Sequence, residues 1–375
     1  MRRSRLSLLV GATMLAPSAG AAQAVPQTKL PAPNATLDAE FTRVGAVRQL
    51  ADGRVLVSDV GEGKLFVADF ARQGATPVGR SGQGPNEYRA IAALIPLPND
   101  STLLADPRGG RWLLLHGADI VAVVPPDSPP LRSGARNPFG ADGSGHVLAT
   151  SAVRRLEEGA GTTVTNAADS LWILLIGRST GSIDTLGKAR TRPSRIVVTG
   201  RDRAQSVSVI VNPLSVGEQV VLFPDGWVAV ARLDPYRVNW VSNDGRQIRG
   251  DPLPEARVRV DERVKRWVLE ERARQTGQPS ARPEGVPDDD WPATIPPFLS
   301  NALLPAPDGT LWIVRAATKP NVATLYDVVD RRGRVVYRVS LAQSERVVGF
   351  GDGAVYSVAS DEDGIQRLRR HALPR

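Results

Sequence analysis

The chain has 375 residues, of which 42% are apolar and 23% charged, and a formal charge of +8. This composition supports a sizeable core and excludes wholesale disorder. The absence of Cys and the presence of only three His (His116, His146, His371) exclude a disulfide scaffold, Cys-ligated zinc, a thiol nucleophile and His-rich metal sites.

The positive charge is not a nucleic-acid signature. Only five of the 47 basic residues are Lys, and the Arg residues are scattered and interleaved with acids rather than gathered on one stripe. No nucleic-acid partner is expected.

The first 24 residues have the form of a cleavable secretory signal. Arg2, Arg3 and Arg5 make a positive start, an apolar run covers 6–16, and Ala22-Gln23-Ala24 fits the small-x-small rule for a cut after Ala24. The apolar run is too short to span a bilayer, which needs about 20 residues. No other segment is long and apolar enough, so a periplasmic or secreted protein that does not span the membrane is expected. Removing the leader takes away three Arg and no acid, leaving +5. Residues 25–35 then read as a linker, and 36–375 as the folded unit.

Within that unit one phrase recurs: a turn with Asp and Gly, then an apolar strand. It occurs at Asp52-Gly53, degenerately at Asn99-Asp100, and again at Asp142-Gly143, Asp225-Gly226, Asp308-Gly309 and Asp352-Gly353. Asp-Gly between apolar runs is a strong hairpin signal, because Gly accepts the positive φ that such turns need. Each copy is followed by a second strand-like run, at 64–70, 111–116, 171–177, 236–241, 324–329 and 365–371. A further turn and a fourth run often follow, as at 119–124, 246–249 and 334–339. The unit is four antiparallel strands, A to D, with the Asp-Gly turn between A and B. The turn positions step by 48, 42, 83, 83 and 44 residues, against the 40–50 of a propeller blade. The predicted fold is all-β: a six-bladed β-propeller with four-stranded blades and a short helical, proline-rich insertion.

The two long steps read as insertions at 188–218 and 253–300, since neither holds another Asp-Gly hairpin. The second opens with a helix. Val264, Trp267, Val268 and Glu271 have helical spacing, Asp261 is the N-cap and Gly277 the stop, with Glu262/Arg266 and Glu270/Arg274 as i,i+4 pairs. Six prolines from Pro279 to Pro297 follow, so this stretch lies over the surface, either as a lid on one face or as plain decoration. The sixth blade ends after its C strand with no D strand of its own. Residues 37–43 stand spare before the first A strand, and pairing them with 365–371 closes the ring.

The D–A and B–C loops of a propeller gather on one face, where ligand sites usually sit. The most distinctive loop is Gly79-Arg80-Ser81-Gly82-Gln83-Gly84-Pro85-Asn86-Glu87-Tyr88. Arg80 and Glu87 either present charge at the mouth or lock one blade to the next. It is not a nucleotide-type phosphate loop, because no Lys-Ser/Thr and no βαβ context follow. Gly82-Gln83-Gly84-Pro85-Asn86-Glu87-Tyr88 resembles the Gly-x-Gly-Pro-Gly-Glu-Phe signature of secreted bacterial six-bladed propellers of the NHL-repeat-like and TolB-like group. Asn86 and Tyr88 replace its usual Gly and Phe. The phrase 303–312 resembles the same group. This resemblance implies the fold and says little about activity.

Two function classes follow. One is a non-catalytic scaffold that binds a protein, peptide or glycan of the cell envelope, expected as a monomer. Its ligand-binding candidates are Arg80, Glu87, Tyr88, Arg108 and Tyr236. The other resembles the metal-dependent lactonases and lyases built on six-bladed propellers, which hold Ca²⁺ on Asn, Asp and Glu oxygens near the axis. That resemblance makes Glu87, Asn137 and Asn212 candidate ligands, with Asp106 as a further one. No Gly-x-Ser-x-Gly elbow and no His-Glu-x-x-His is present. Asp288-Asp289-Asp290 and Asp361-Glu362-Asp363-Gly364 read as solvated turns. His146 at a strand start reads as a strand-edge residue, with no identifiable partner as a base.

Overall fold

The computed structural model describes residues 25–151, 163–166, 169–199, 206–276, 286 and 288–374. The leader, the expected helix stop Gly277, and Pro279, Pro283 and Pro287 lie outside these residues.

Asp-Gly turns and β-branched runs build six antiparallel sheets arranged as propeller blades. Blade one is Val44–Gln49, Val55–Asp59, Lys64–Asp69 and Gly74–Val78. Blade two is Ala93–Leu97, Ser101–Asp106, Arg111–His116 and Asp119–Val124. Blade three is His146–Ser151, Ser170–Gly177 and Ile183–Arg190, with its A strand reduced to a bridge between Ala141 and Val147. Blade four is Gln219–Leu222, Trp227–Leu233, Tyr236–Ser242 and Gln247–Arg249. Blade five is Leu303–Pro305, Leu311–Val314, Thr324–Val329 and Val335–Leu341. Gly53, Gly226, Gly309 and Gly353 take the positive φ that their A–B turns require. In the degenerate second copy Asn99 and Asp100 do so instead, at 57° and 52°.

Blade six is composite. Glu345–Gly351, Ala354–Ser360 and Gln366–Ala372 supply A, B and C, and the N-terminal strand Ala35–Phe41 pairs antiparallel with Gln366–Ala372 as D. Upstream, Gln27–Lys29 adds parallel to the outer strand of blade five, so part of the expected linker is a fifth strand there. Between these two strands His371 Nδ1 lies 2.7 Å from the Pro31 carbonyl, which can only accept, so Nδ1 carries the proton. The same imidazole faces Ser357 Oγ at 2.8 Å and Glu345 Oε1 at 3.4 Å.

The core is not one mass. Six apolar clusters each lie between two neighbouring blades, the six-to-one junction included. Each blade therefore buries both faces, and no blade is stable without its neighbours.

The insertions share one face. The B–C connection of blade three, the D–A connection from blade three to four and that from four to five all leave from the B–C/D–A side. Thr163–Asn166, Arg195–Thr199 and Ser206–Ile210 form an additional three-stranded sheet there. The apolar runs near 196 and 207 are visible in the sequence; their partner at 163–166 comes from a different loop. The helix Glu262–Thr276 is capped by Asp261, whose Oδ1 accepts from Val264 N at 2.9 Å. Glu262 pairs with Lys265 at 2.8 Å, one residue short of the expected Arg266. Val264 packs with Leu214 and Ile295 in a satellite core that ties the two insertions together.

Two outcomes follow from the closure. Deleting residues 25–43 removes the D strand of blade six, and cooperative thermal unfolding should be lost; an unchanged melt would refute the closing role. His371, then Ser357 and Arg369, hold the Glu345 carboxyl below its ordinary value. Its contribution is therefore present above the ordinary carboxylate range and lost as pH falls through the lowered value. Glu345→Gln should cost about 1–3 kcal/mol at pH 7, with a gap to wild type that closes on acidification in pH-resolved melts.

Candidate functional site

The 79–88 loop is a staple between blades one and two. Arg80–Ser81 pairs parallel with Glu87–Tyr88. Glu87 accepts from Gly84 N and from Arg80 Nε, both at 2.7 Å, and these two donors, in that order, hold its carboxyl below the ordinary value. Tyr88 is buried. Its hydroxyl accepts from Leu65 N at 2.8 Å and donates to the Val78 carbonyl at 3.0 Å. Arg111 of blade two donates to the Gln83 and Glu87 carbonyls, both at 2.7 Å. Gly79 has φ +66°, and a Cβ there would stand 2.8 Å from the Asn86 carbonyl, so only Gly fits.

The other candidates lie on separate strands and connections. Asp106 is fully buried at the end of a B strand. It accepts from Arg89 N and Ala90 N of the D–A connection and from Gly109 N and Arg111 Nε of the B–C turn and C strand, and so ties the two loops together. Asp59 does the same in blade one for Thr42 N, Arg43 N, Gly61 N and Glu62 N. Asn212 is buried among the insertions, with Oδ1 on Leu214 N at 2.8 Å and Nδ2 on the Asp290 carbonyl at 3.4 Å. Asn137 and Arg108 are exposed. Tyr236 is buried between blades four and five and donates to Asp327 Oδ2 at 3.0 Å; burial, then the carboxylate, push its phenol well above the ordinary value. His146 has a partner after all, Asp142 Oδ2 at 2.9 Å, but on an A–B turn, opposite the insertions. Among the described residues no three His, Asp or Glu side chains gather as a metal site.

A different set of residues is brought together between blades three and four. Alternation along Trp227–Leu233 turns Val228, Val230 and Arg232 toward blade three, while Ala229 and Ala231 pack toward blade five. Cross-strand register adds Asn239 opposite Val230, Arg237 opposite Arg232, and Arg249 opposite Asn239. The two valines fill the inter-blade core. Beyond them the blades diverge around an open groove of about 550 Å³, lined by Arg190, Glu218, Arg232, Arg237, Asn239 and Arg249 among others. Glu218 is spent within the protein: it accepts from Arg232 Nη1 at 2.6 Å and lies 3.4 Å from Arg190 Nε. The side chains of Arg237 and Arg249 have no hydrogen-bond or ion-pair partner among the described residues, and Asn239 Oδ1 is buried without a donor.

At Asp234 the groove meets a second cleft of about 340 Å³ beneath the insertions, lined by Leu214, Val216, Leu233, Trp291 and Ile295 with Glu255 and Arg257 among its charged residues. Arg257 sits 3.1 Å from Glu255 and 3.7 Å from Asp234. The insertion thus walls a cleft on the loop face.

No family model matches the chain, and no curated protein matches it. Among solved structures, a DUF4221 family member from Bacteroides vulgatus aligns at 9% identity and TM-score 0.44, over 92% of this chain and 98% of that one. Regucalcin, a calcium-binding protein from Agrobacterium tumefaciens, aligns at 15% and 0.40, over 93% and 97%. Virginiamycin B lyase from Staphylococcus aureus aligns at 8% and 0.40, over 90% and 98%. Likeness at this level carries no chemistry across to this chain.

If the 79–88 loop is a staple, Tyr88→Phe, which leaves Leu65 N–H unpaired, should destabilise by about 1–3 kcal/mol without altering any ligand affinity. A binding defect at unchanged melting temperature would return Tyr88 to the site.

Proposed function

We propose that the chain is an exported, non-catalytic binding scaffold whose ligand enters the cationic groove between blades three and four. The carrying observation is the uncompensated charge there. Arg232 and Arg237 stand directly opposite in the register, an arrangement that destabilises a sheet. Glu218 relieves Arg232 only. Arg237 and Arg249 keep their donors free, as a site for an anionic group does. Export rests on the leader pattern. A cut after Ala24 leaves Val25 two residues before Gln27–Lys29, and the mature protein is read as a periplasmic or secreted monomer. No helix among the described residues is long and apolar enough to cross a membrane. The alternative, a Ca²⁺-dependent lactonase-like or lyase-like enzyme, draws little support from its candidate oxygens, since Glu87, Asp106 and Asn212 are engaged by protein donors.

The groove is tested by separating affinity from stability. Arg237→Gln should leave the melting temperature unchanged or raise it, by about 0.2–1 kcal/mol of relieved repulsion. The double variant Arg237→Glu/Arg249→Glu should abolish salt-sensitive binding of anionic probes. Unchanged anion affinity in the double variant would refute the site, and a chelator-sensitive melt with stoichiometric Ca²⁺ would favour the enzyme.

A further inference from the structure

We infer that the ligand of this groove is an acidic oligosaccharide, held by a sugar carboxylate on Arg237 and Arg249 and a sugar hydroxyl on Asn239; this rests on the groove being the binding site. Two opposite demands meet in one place. Arg237 and Arg249 offer only N–H donors with positive charge, and a planar guanidinium is matched best by a carboxylate. Asn239 lies between them, two residues from Arg237 on the same face and directly opposite Arg249. Its Oδ1 is buried with no donor in the free protein; turned toward the groove by rotation of the amide, such an acceptor calls for an O–H or N–H.

Single-demand ligands fail. Inorganic sulfate brings acceptors and leaves Asn239 Oδ1 unmet. A neutral sugar satisfies the amide and leaves both guanidinium groups unmet. A hydroxy acid satisfies both, and a sugar acid presents its carboxylate and hydroxyls around one rigid ring. An open groove of about 550 Å³ has room for more than one such ring. An acidic peptide could also bring both groups, but its usual mode, adding a strand to a sheet edge, is closed on the blade-three side of the groove, and hexaglutamate tests the rest. The neighbouring edge is the strand Ile183–Arg190. There the Lys188 carbonyl already accepts from Arg232 Nη1 at 2.8 Å, and Arg190 N donates to Glu218 Oε2 at 2.9 Å.

The test is titration calorimetry on the mature chain, with trigalacturonate as the acidic probe. Its methyl ester, inorganic sulfate and hexaglutamate are the comparisons. Trigalacturonate should bind, and the ester should bind at least about tenfold more weakly, one decade being the loss expected for a good charged contact. Arg237→Ala and Arg249→Ala should each cost about tenfold or more. Asn239→Ala, checked for an unchanged melt, should weaken trigalacturonate and leave sulfate as it was. Absence of trigalacturonate binding, or sulfate or hexaglutamate binding as tightly with Asn239→Ala silent, overturns the sugar-acid assignment; if those anions still depend on Arg237 and Arg249, the groove stands as a general anion site. If no probe responds to either arginine, both the assignment and the site fall.

Discussion

Everything in this molecule depends on one hydrogen-bonded ladder, between Ala35–Phe41 and Gln366–Ala372. Each blade buries its faces against two neighbours, so an open ring would expose two apolar sheet faces and an unpaired edge. The join is reinforced beyond its backbone. Val44 N donates to Gln366 Oε1 across the seam at 2.9 Å, Phe41 and Phe66 meet edge to face, and His371 reaches back to Pro31. Bringing residues more than 300 positions apart together costs loop-closure entropy only logarithmically. A single strand can therefore hold the ring shut.

Closure fixes the frame, and the insertions break its symmetry. Blades one and two bind their D–A loops to the scaffold with a buried Asp at the end of the B strand, Asp59 and Asp106. Blades three and four instead send long connections outward on the same side. The polar surface between blades three and four follows from that difference. Val228 and Val230 close the inner part of the junction, and the next residues on the same face, beyond the reach of the core, are arginines and an asparagine.

The fold was largely legible in the chain, because the Asp-Gly turns are local. Their chemistry is set by φ at one or two residues, and their spacing counts the blades. The closing strand was legible for a related reason, as the last blade visibly lacked a D strand. The groove was not. Arg237, Asn239 and Arg249 are unremarkable in the sequence, and only cross-strand register places them on one face. Conversely, Asp106, Asn212 and Tyr88 drew attention as conspicuous polar residues in loops. The sequence does not show the backbone N–H groups that claim Asp106, the tight turn that claims Asn212, or the blade that buries Tyr88. The sheet formed by residues 163–166, 195–199 and 206–210 was half legible: two of its strands are apparent as apolar runs, but the third comes from another loop.

The composite sixth blade also sets an order of events. A ribosome delivers the chain from its N-terminus at a pace of about 5–20 residues per second. Strand Ala35–Phe41 is among the first segments to emerge, yet its partner Gln366–Ala372 is among the last. An early segment thus waits for one of the latest before its pairing is complete. Until it does, the growing chain lacks the ladder that completes its ring, and two apolar blade faces wait unpaired for the C-terminal strands.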